Sequence, residues 1–161
     1  NIYRALDAQL PKFAHVPMIL GQDGARLSKR HGAVSVLQYR EDGYLPEAVV
    51  NFLAFLGWNP GTEQELFSMD ELIQAFSLER ISKSGAKFDI QKAQWFNQQY
   101  LRKQSDEQLA AYLLPAFEAK GVNVIPEKAA QIARLMRDRV TFPQEIVEGT
   151  GFLFKAPTDY D

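Results

Sequence analysis

The chain has 161 residues, 46% apolar and 24% charged, with a formal net charge of −2. This is an ordinary globular balance with no global pull on a polyanion. It has no cysteine, which excludes a disulfide framework and thiolate metal sites, and only two histidines, His15 and His31, which leaves a histidine metal cluster poorly supplied. No convincing D-x-D arrangement is present, so no metal site is expected. No apolar run approaches the ~20 residues that span a bilayer, and no secretory leader is visible, so the expected location is the cytoplasm, with no membrane partner.

In chain order, "HVPMIL" (His15 to Leu20) is apolar and carries a proline, and reads as a buried or edge strand. The turn signal "GQDG" follows, then a basic stretch from Arg26 to Arg30 closed by Gly32. Ser35 to Gln38 has the form of a capping box, predicting a short helix to about Arg40 that stops before Gly43. Pro46 suits a first helical turn, where its missing N–H has no partner to lose. Leu45, Val49, Phe52, Leu53 and Leu56 then recur at helical spacing up to the stop glycine Gly57. "SMDE" from Ser68 is a second capping box, with Leu72, Ile73 and Phe76 placed on one face.

A second lysine stretch, Ile81 to Lys87, precedes a helix capped by Asp89 that presents Ile90, Ala93, Phe96 and Tyr100, with Trp95 alongside. Ser105 to Gln108 is a third capping box. It opens a helix through Leu109, Tyr112, Leu113 and Phe117 that is expected to kink or break near Pro115 and to end at Gly121. Pro126 starts another, with Ala129, Ile132, Leu135 and Met136 inward and Arg134, Arg137 and Arg139 presented, and Pro143 starts a last short one. The expected fold is mainly α, and the aromatic stripes are expected to be core.

Two stretches compete for chemistry: "ARLSKRHGA" (Ala25 to Ala33) and "ERISKSGAK" (Glu79 to Lys87). The first follows a strand and precedes a helix start, a place where ammonium groups and backbone N–H groups can reach a polyphosphate. No G-x-x-x-x-G-K-[ST] string occurs, so it is not a Walker A loop. The second lies between helices, in a locally basic region. From Glu79 to Lys103 the cations Arg80, Lys83, Lys87, Lys92, Arg102 and Lys103 face only Glu79 and Asp89. It suits a nucleic-acid backbone contact, a solvated face or a plain connector.

"ARLSKRHGAVSVLQYREDGYLPEAVVNFLAFLGW" resembles the lysine signature loop and following segment of bacterial-type glutamyl-tRNA synthetases, class I enzymes with a Rossmann-type catalytic fold. "FSMDELIQAFSLERISKSGAKFD", "WFNQQYLR" and "FLFKAPTDYD" resemble later segments in the same order, so the likeness covers essentially the whole chain. The resemblance implies that Arg26, Leu27, Ser28, Lys29 and Arg30 form the ATP loop, with Lys29 catalytic. Arg26 stands where lysine is usual and brings a planar fork in place of a point charge. Gly24 and Gly32 would allow the loop to move. By the same resemblance Ser82 to Ser84 imitate the signature but fall in the region that meets the inner corner of tRNA. The expected RNA contacts are Arg80, Lys83, Lys87, Lys92, Arg134, Arg137 and Arg139.

The resemblance further implies residues 1–44 as the end of the catalytic domain, 45–103 as a helical stem-contact region, and 104–161 as the start of an all-helical anticodon-binding domain. No H-x-G-H string occurs in the chain. The expectation is therefore a middle piece of a glutamate–tRNA ligase, inactive alone. Its parent would use ATP with accompanying Mg²⁺, glutamate and tRNA(Glu), with none of these bound to the piece itself. The alternatives are a piece of a glutaminyl-tRNA synthetase, whose anticodon region is built from β-barrels, and a helical protein- or RNA-interaction module without nucleotide chemistry.

Overall fold

A computed structural model describes residues 2–28 and 35–154. Short helices dominate: α1 (Ile2–Ala5), α2 (Val36–Glu41), α3 (Pro46–Ala54), α4 (Met69–Ala75), α5 (Ile90–Lys103), α6 (Asp106–Ala119), α7 (Pro126–Met136) and α8 (Pro143–Gly149). The described strands are β1 (Ile19–Leu20) and β2 (Ala86–Lys87), paired in parallel with Ile19 opposite Ala86 and Leu20 opposite Lys87. Among the described residues no helix is long and apolar enough to cross a membrane.

The capping chemistry places most helix starts where the sequence puts them. Ser68 Oγ accepts from Glu71 N–H at 3.2 Å while the Glu71 carboxylate takes the Ser68 N–H at 2.7 Å. Ser105 and Gln108 make the same reciprocal pair at 3.2 and 2.9 Å. Asp89 Oδ1 accepts from Gln91 N–H at 2.9 Å and opens α5. At α2 only half of the expected box forms. Ser35 Oγ accepts from Leu37 N–H, and the Gln38 side chain instead donates forward to Asp42 at 2.9 Å.

Three further expectations are corrected. Only the last two residues of "HVPMIL" are strand, with Val16 and Met18 exposed. Pro17 has no N–H for a ladder, and its ring lies against Gly57. α6 runs unbroken through Pro115. Pro115 and Ala111, whose carbonyl loses its donor, both sit on the exposed face, which leaves that carbonyl accessible to solvent. Leu135 points outward because Ala129, Ile132, Ala133 and Met136 take the inner stripe of α7, and Ile73 of α4 is likewise exposed.

The main core joins Tyr39, Tyr44, Leu45, Val49 and Phe52 of the α2–α3 region to Phe96, Leu101, Leu109, Leu113, Phe117, Ile132 and Ile146 of α5–α8. A smaller cluster forms around Trp58, Phe67 and Leu72. Two buried asparagines lock this core. Asn97 Oδ1 accepts from Leu45 N–H at 2.8 Å, and its amide donates to the Thr141 carbonyl at 2.7 Å, tying α5 to the start of α3 and to the α7–α8 link. Asn51 donates to the Glu65 carbonyl and accepts from Phe67 N–H at 2.8 Å. The Tyr100 hydroxyl is shared between Asn51 Oδ1 and the Phe67 carbonyl. Each bond satisfies a group that would otherwise be buried without water.

Candidate functional site

The first lysine stretch grows out of a tight reversal. β1 ends at Leu20, and Gly21 N–H donates to the Ala25 carbonyl at 2.8 Å. Gly24 adopts a left-handed φ of 78° with N–H donating to the Gly21 carbonyl, and Asp23 Oδ1 takes the Ala25 N–H at 3.0 Å. A residue with a Cβ would be strained at this φ, which is why the turn needs glycine there. The chain then returns along β1. Arg26 bridges Leu20 antiparallel, and Leu27 N–H donates to the Ile19 carbonyl at 2.9 Å. Arg26 and Ser28 are exposed and Leu27 is half-buried against the core. Lys29 and Arg30, the residues of greatest expected chemical weight, lie outside the described residues.

The second lysine stretch is held along its length. Ile81 bridges Trp58, and Ser82 N–H donates to the Gly57 carbonyl at 2.7 Å. The Ser82 and Ser84 hydroxyls bond each other at 2.9 Å, and Ser82 Oγ takes the Ser84 N–H. The hydroxyls of the S-K-S string therefore fold a local turn. The segment then enters β2. Ala86 N–H donates to the Met18 carbonyl at 3.0 Å and Phe88 N–H to the Leu20 carbonyl at 2.8 Å. The Gln22 amide adds a bond to the Phe88 carbonyl.

The two stretches, far apart in sequence, thus share one anchor. They also share a cavity of about 920 Å³, lined from Phe13 to Ile19 on one side, by Arg26 and Leu27, and by Leu78, Ile81, Ser82 and Lys83 on the other. Sequence reasoning treated the stretches as rivals and missed this meeting. Its only local signal was a pair of two-residue strands, too short to read from periodicity. A second cavity, about 720 Å³, is mostly apolar and lies between α2, α3, α6 and α8.

The expected RNA-facing cations divide in two. Lys92 Nζ pairs with Glu65 at 2.7 Å and lies 4.0 Å from the centroid of the Trp95 ring. Arg137 lies 3.0 Å from Asp106 and donates to the Gln104 carbonyl at 3.1 Å, joining α7 to the start of α6. Both therefore have structural employment. Arg80, Lys83, Lys87, Arg134 and Arg139 are exposed. The Arg80 guanidinium lies over Gly61, where a Cβ would come within 2.2 Å of it. Glu79 is held below the usual carboxylate range by hydrogen bonds from its own backbone and Ser77, with the Lys12 charge adding attraction. Among the described residues no group of three or more His, Asp or Glu is placed to hold a metal ion.

Residues 1–95 match the family described as tRNA synthetases class I (E and Q), catalytic domain. The glutamate–tRNA ligase of Nitrosospira multiformis is 50% identical over 96% of this chain and 34% of its own length. That of Phocaeicola vulgatus is 45% identical over 99% of the chain and 36% of its own. The crystal structure of a glutamate tRNA ligase from Elizabethkingia meningosepticum in complex with its amino acid superposes with a TM-score of 0.86 at 39% identity, over 99% of this chain and 36% of that one. The chain thus spans about a third of the length of the relatives it matches. Because the family match covers more than half of the chain, and both lysine stretches fall within it, the chain belongs to the class I tRNA synthetases of the E and Q family.

Proposed function

We propose that this chain is a segment of a glutamate–tRNA ligase that activates glutamate with ATP and transfers it to tRNA(Glu). The observation that carries the reading is continuous similarity to such ligases over 96–99% of the chain at 44–50% identity. In this reading residues 1–44 end the Rossmann-type catalytic domain, 45–103 meet the tRNA stem, and 104–161 begin the helical anticodon-binding domain. The run of α6, α7 and α8 after Ser105 favours this over a glutaminyl-type enzyme with a barrel in that place.

The reversal at Gly21–Ala25 supplies a fixed stem from which Arg26, Leu27 and Ser28 lead to Lys29 and Arg30. The Lys29 ammonium would neutralise charge building on the ATP phosphates as the glutamate carboxylate attacks the α-phosphorus and pyrophosphate leaves. Preorganised positive charge of this kind acts mainly on the transition state. Mg²⁺ would arrive bound to ATP. The described residues of this chain offer no carboxylate cluster for it, and no step is assigned to it.

The test is glutamate-dependent ATP–pyrophosphate exchange and tRNA charging by the full-length parent, with glutamine as the competing amino acid. Exchange with glutamate and charging of tRNA(Glu) are expected. The 161-residue chain alone, which contains no H-x-G-H string, is expected to give no exchange. Preferential activation of glutamine by the parent would replace the reading with the glutaminyl alternative.

A further inference from the structure

α3 packs against α5, and α6 packs against α7 and α8, which makes two groups of helices. Where α2 and α3 face α6 and α8, side chains leave the mostly apolar cavity of about 720 Å³. Packing between the groups is thin there, and polar contacts of long sequence span bridge it.

These contacts join the α2–α3 link, residues 42–45, to the α7–α8 link, residues 141–145. Gln144 Nε2 donates to the carbonyl of Asp42, the residue that caps α2, at 2.7 Å. Its amide lies over Gly43, where φ is +87° and a Cβ would come within 2.1 Å of Gln144 Oε1. Glycine both turns the chain there and leaves space for the amide. Deeper in, the fully buried Asn97 takes the Leu45 N–H and donates to the Thr141 carbonyl. The Tyr44 ring meets Phe142 edge-on at 4.9 Å. The Glu145 carboxylate takes the Thr141 and Phe142 N–H groups at 2.7 and 3.2 Å, so α8 braces its own entry link. Hydrogen bonds prefer near-linear geometry and so fix an angle that apolar contacts beside a cavity leave free.

We propose that Gln144 and Asn97 form a latch that sets the attitude of α6–α8 to the α2–α3 segment, and that Gln144 is thereby a positioning residue for tRNA. The proposal rests on the synthetase reading, in which one tRNA meets both groups of helices at once. Two contact surfaces on one ligand reinforce each other only where their separation fits it. Loosening the latch therefore weakens tRNA binding and leaves the ATP loop untouched.

Asn97 is fully buried, and its loss would test folding as much as attitude. Gln144 is exposed and carries the test, as Gln144→Ala and as Gln144→Glu, which keeps the shape and loses the donor. Ile132→Val, in the core of α7 and outside both links, controls for a general loss of stability. The 161-residue chain has no cysteine, so spin labels at Glu41→Cys and Glu127→Cys report the distance across the junction by pulsed electron resonance. Both Gln144 variants are expected to broaden the distance distribution, and Ile132→Val to leave it sharp.

In the full-length parent, both Gln144 variants are expected to raise the tRNA Michaelis constant about three- to tenfold, the scale of one lost hydrogen bond. The turnover of charging, and exchange at saturating tRNA, should stay within about twofold. Gly43→Ala drives the amide off from the other side and should combine with Gln144→Ala less than additively, because both release the same bond. A distribution unchanged by both Gln144 variants, a tRNA constant moved equally by Ile132→Val, or a loss that falls on turnover overturns the proposal. A wild-type parent without glutamate-dependent exchange refutes the synthetase reading and the tRNA role with it, whereas an unchanged distribution beside normal exchange refutes the latch alone.

Discussion

The two lysine stretches spell nearly the same letters, and their described residues are held by different bonds. Around Ser82–Ser84 both hydroxyls, two backbone N–H groups and the flanking Ile81 are already engaged in bonds within the chain. The described residues of the first stretch are held at its stem, by the Arg26 bridge to Leu20 and the Leu27 bond to Ile19. A segment whose polar groups are satisfied locally is suited to presenting a surface. A side chain led out from the stem of the first stretch is placed to meet a ligand, as the role proposed for Lys29 requires. Letters alone do not separate these proposed roles.

The largest expected difference between the stretches is catalytic. In the full-length parent, Lys29→Ala should slow adenylate formation by about two to three orders of magnitude, the scale of losing one preorganised transition-state donor. Lys83→Ala should leave it within about threefold, its effect falling on tRNA binding and fading as salt screens an exposed contact. Pyrophosphate exchange and charging on both variants measure this. The reverse ranking would make the Ser82–Ser84 turn the active loop.

Gly57 tests the anchor of the second stretch. Its φ is +109°, a Cβ there would lie 2.5 Å from the Pro17 ring, and its carbonyl accepts the Ser82 N–H. Gly57→Ala should therefore destabilise the chain by about 2–4 kcal/mol, combining backbone strain with overpacking. Urea denaturation would record it as a lower midpoint at unchanged slope. Gly85→Ala loads only the β1–β2 contact, against the movable end of Leu20 and a tight carbonyl, and should cost about 1–2 kcal/mol. If Gly85→Ala proved the costlier of the two, the joint between the stretches would carry more of the fold than the anchor at Gly57.

The smallest effect concerns alkaline pH and the core rather than either stretch. Burial pushes the Tyr44 and Tyr100 hydroxyls up to about 12 from an ordinary value of 10. The unfolded chain ionises first as pH rises, so their contribution is intact below pH 10 and is lost between 10 and 12. Tyr100→Phe should shrink that alkaline decline in stability. A variant with the full decline would assign it to other groups.

Local chemistry made much of this protein legible from residues alone. Ser68 with Glu71, Ser105 with Gln108, Asp89, Pro46, Pro126 and Pro143 mark helix starts because capping and proline geometry act within three or four residues. The inner positions Val49, Phe52, Ala93, Phe96, Leu109, Leu113, Phe117 and Ile132 follow from helical spacing, which any chain with one buried face must obey. Spacing failed at the edges of those stripes. It assigned Leu135 inward and put Ile73 on one face with the buried Leu72, whereas neighbouring elements decide how wide the covered stripe is.

The tertiary structure alone decided which charges have partners. Arg137 and Lys92 looked like the other surface cations until Asp106 and Glu65 came beside them from distant segments. It also decided that "IL" and "AK", about sixty-seven residues apart, would lie side by side. Two residues of strand carry too little periodicity to announce themselves, and a parallel partner is chosen by what the intervening helices pack against.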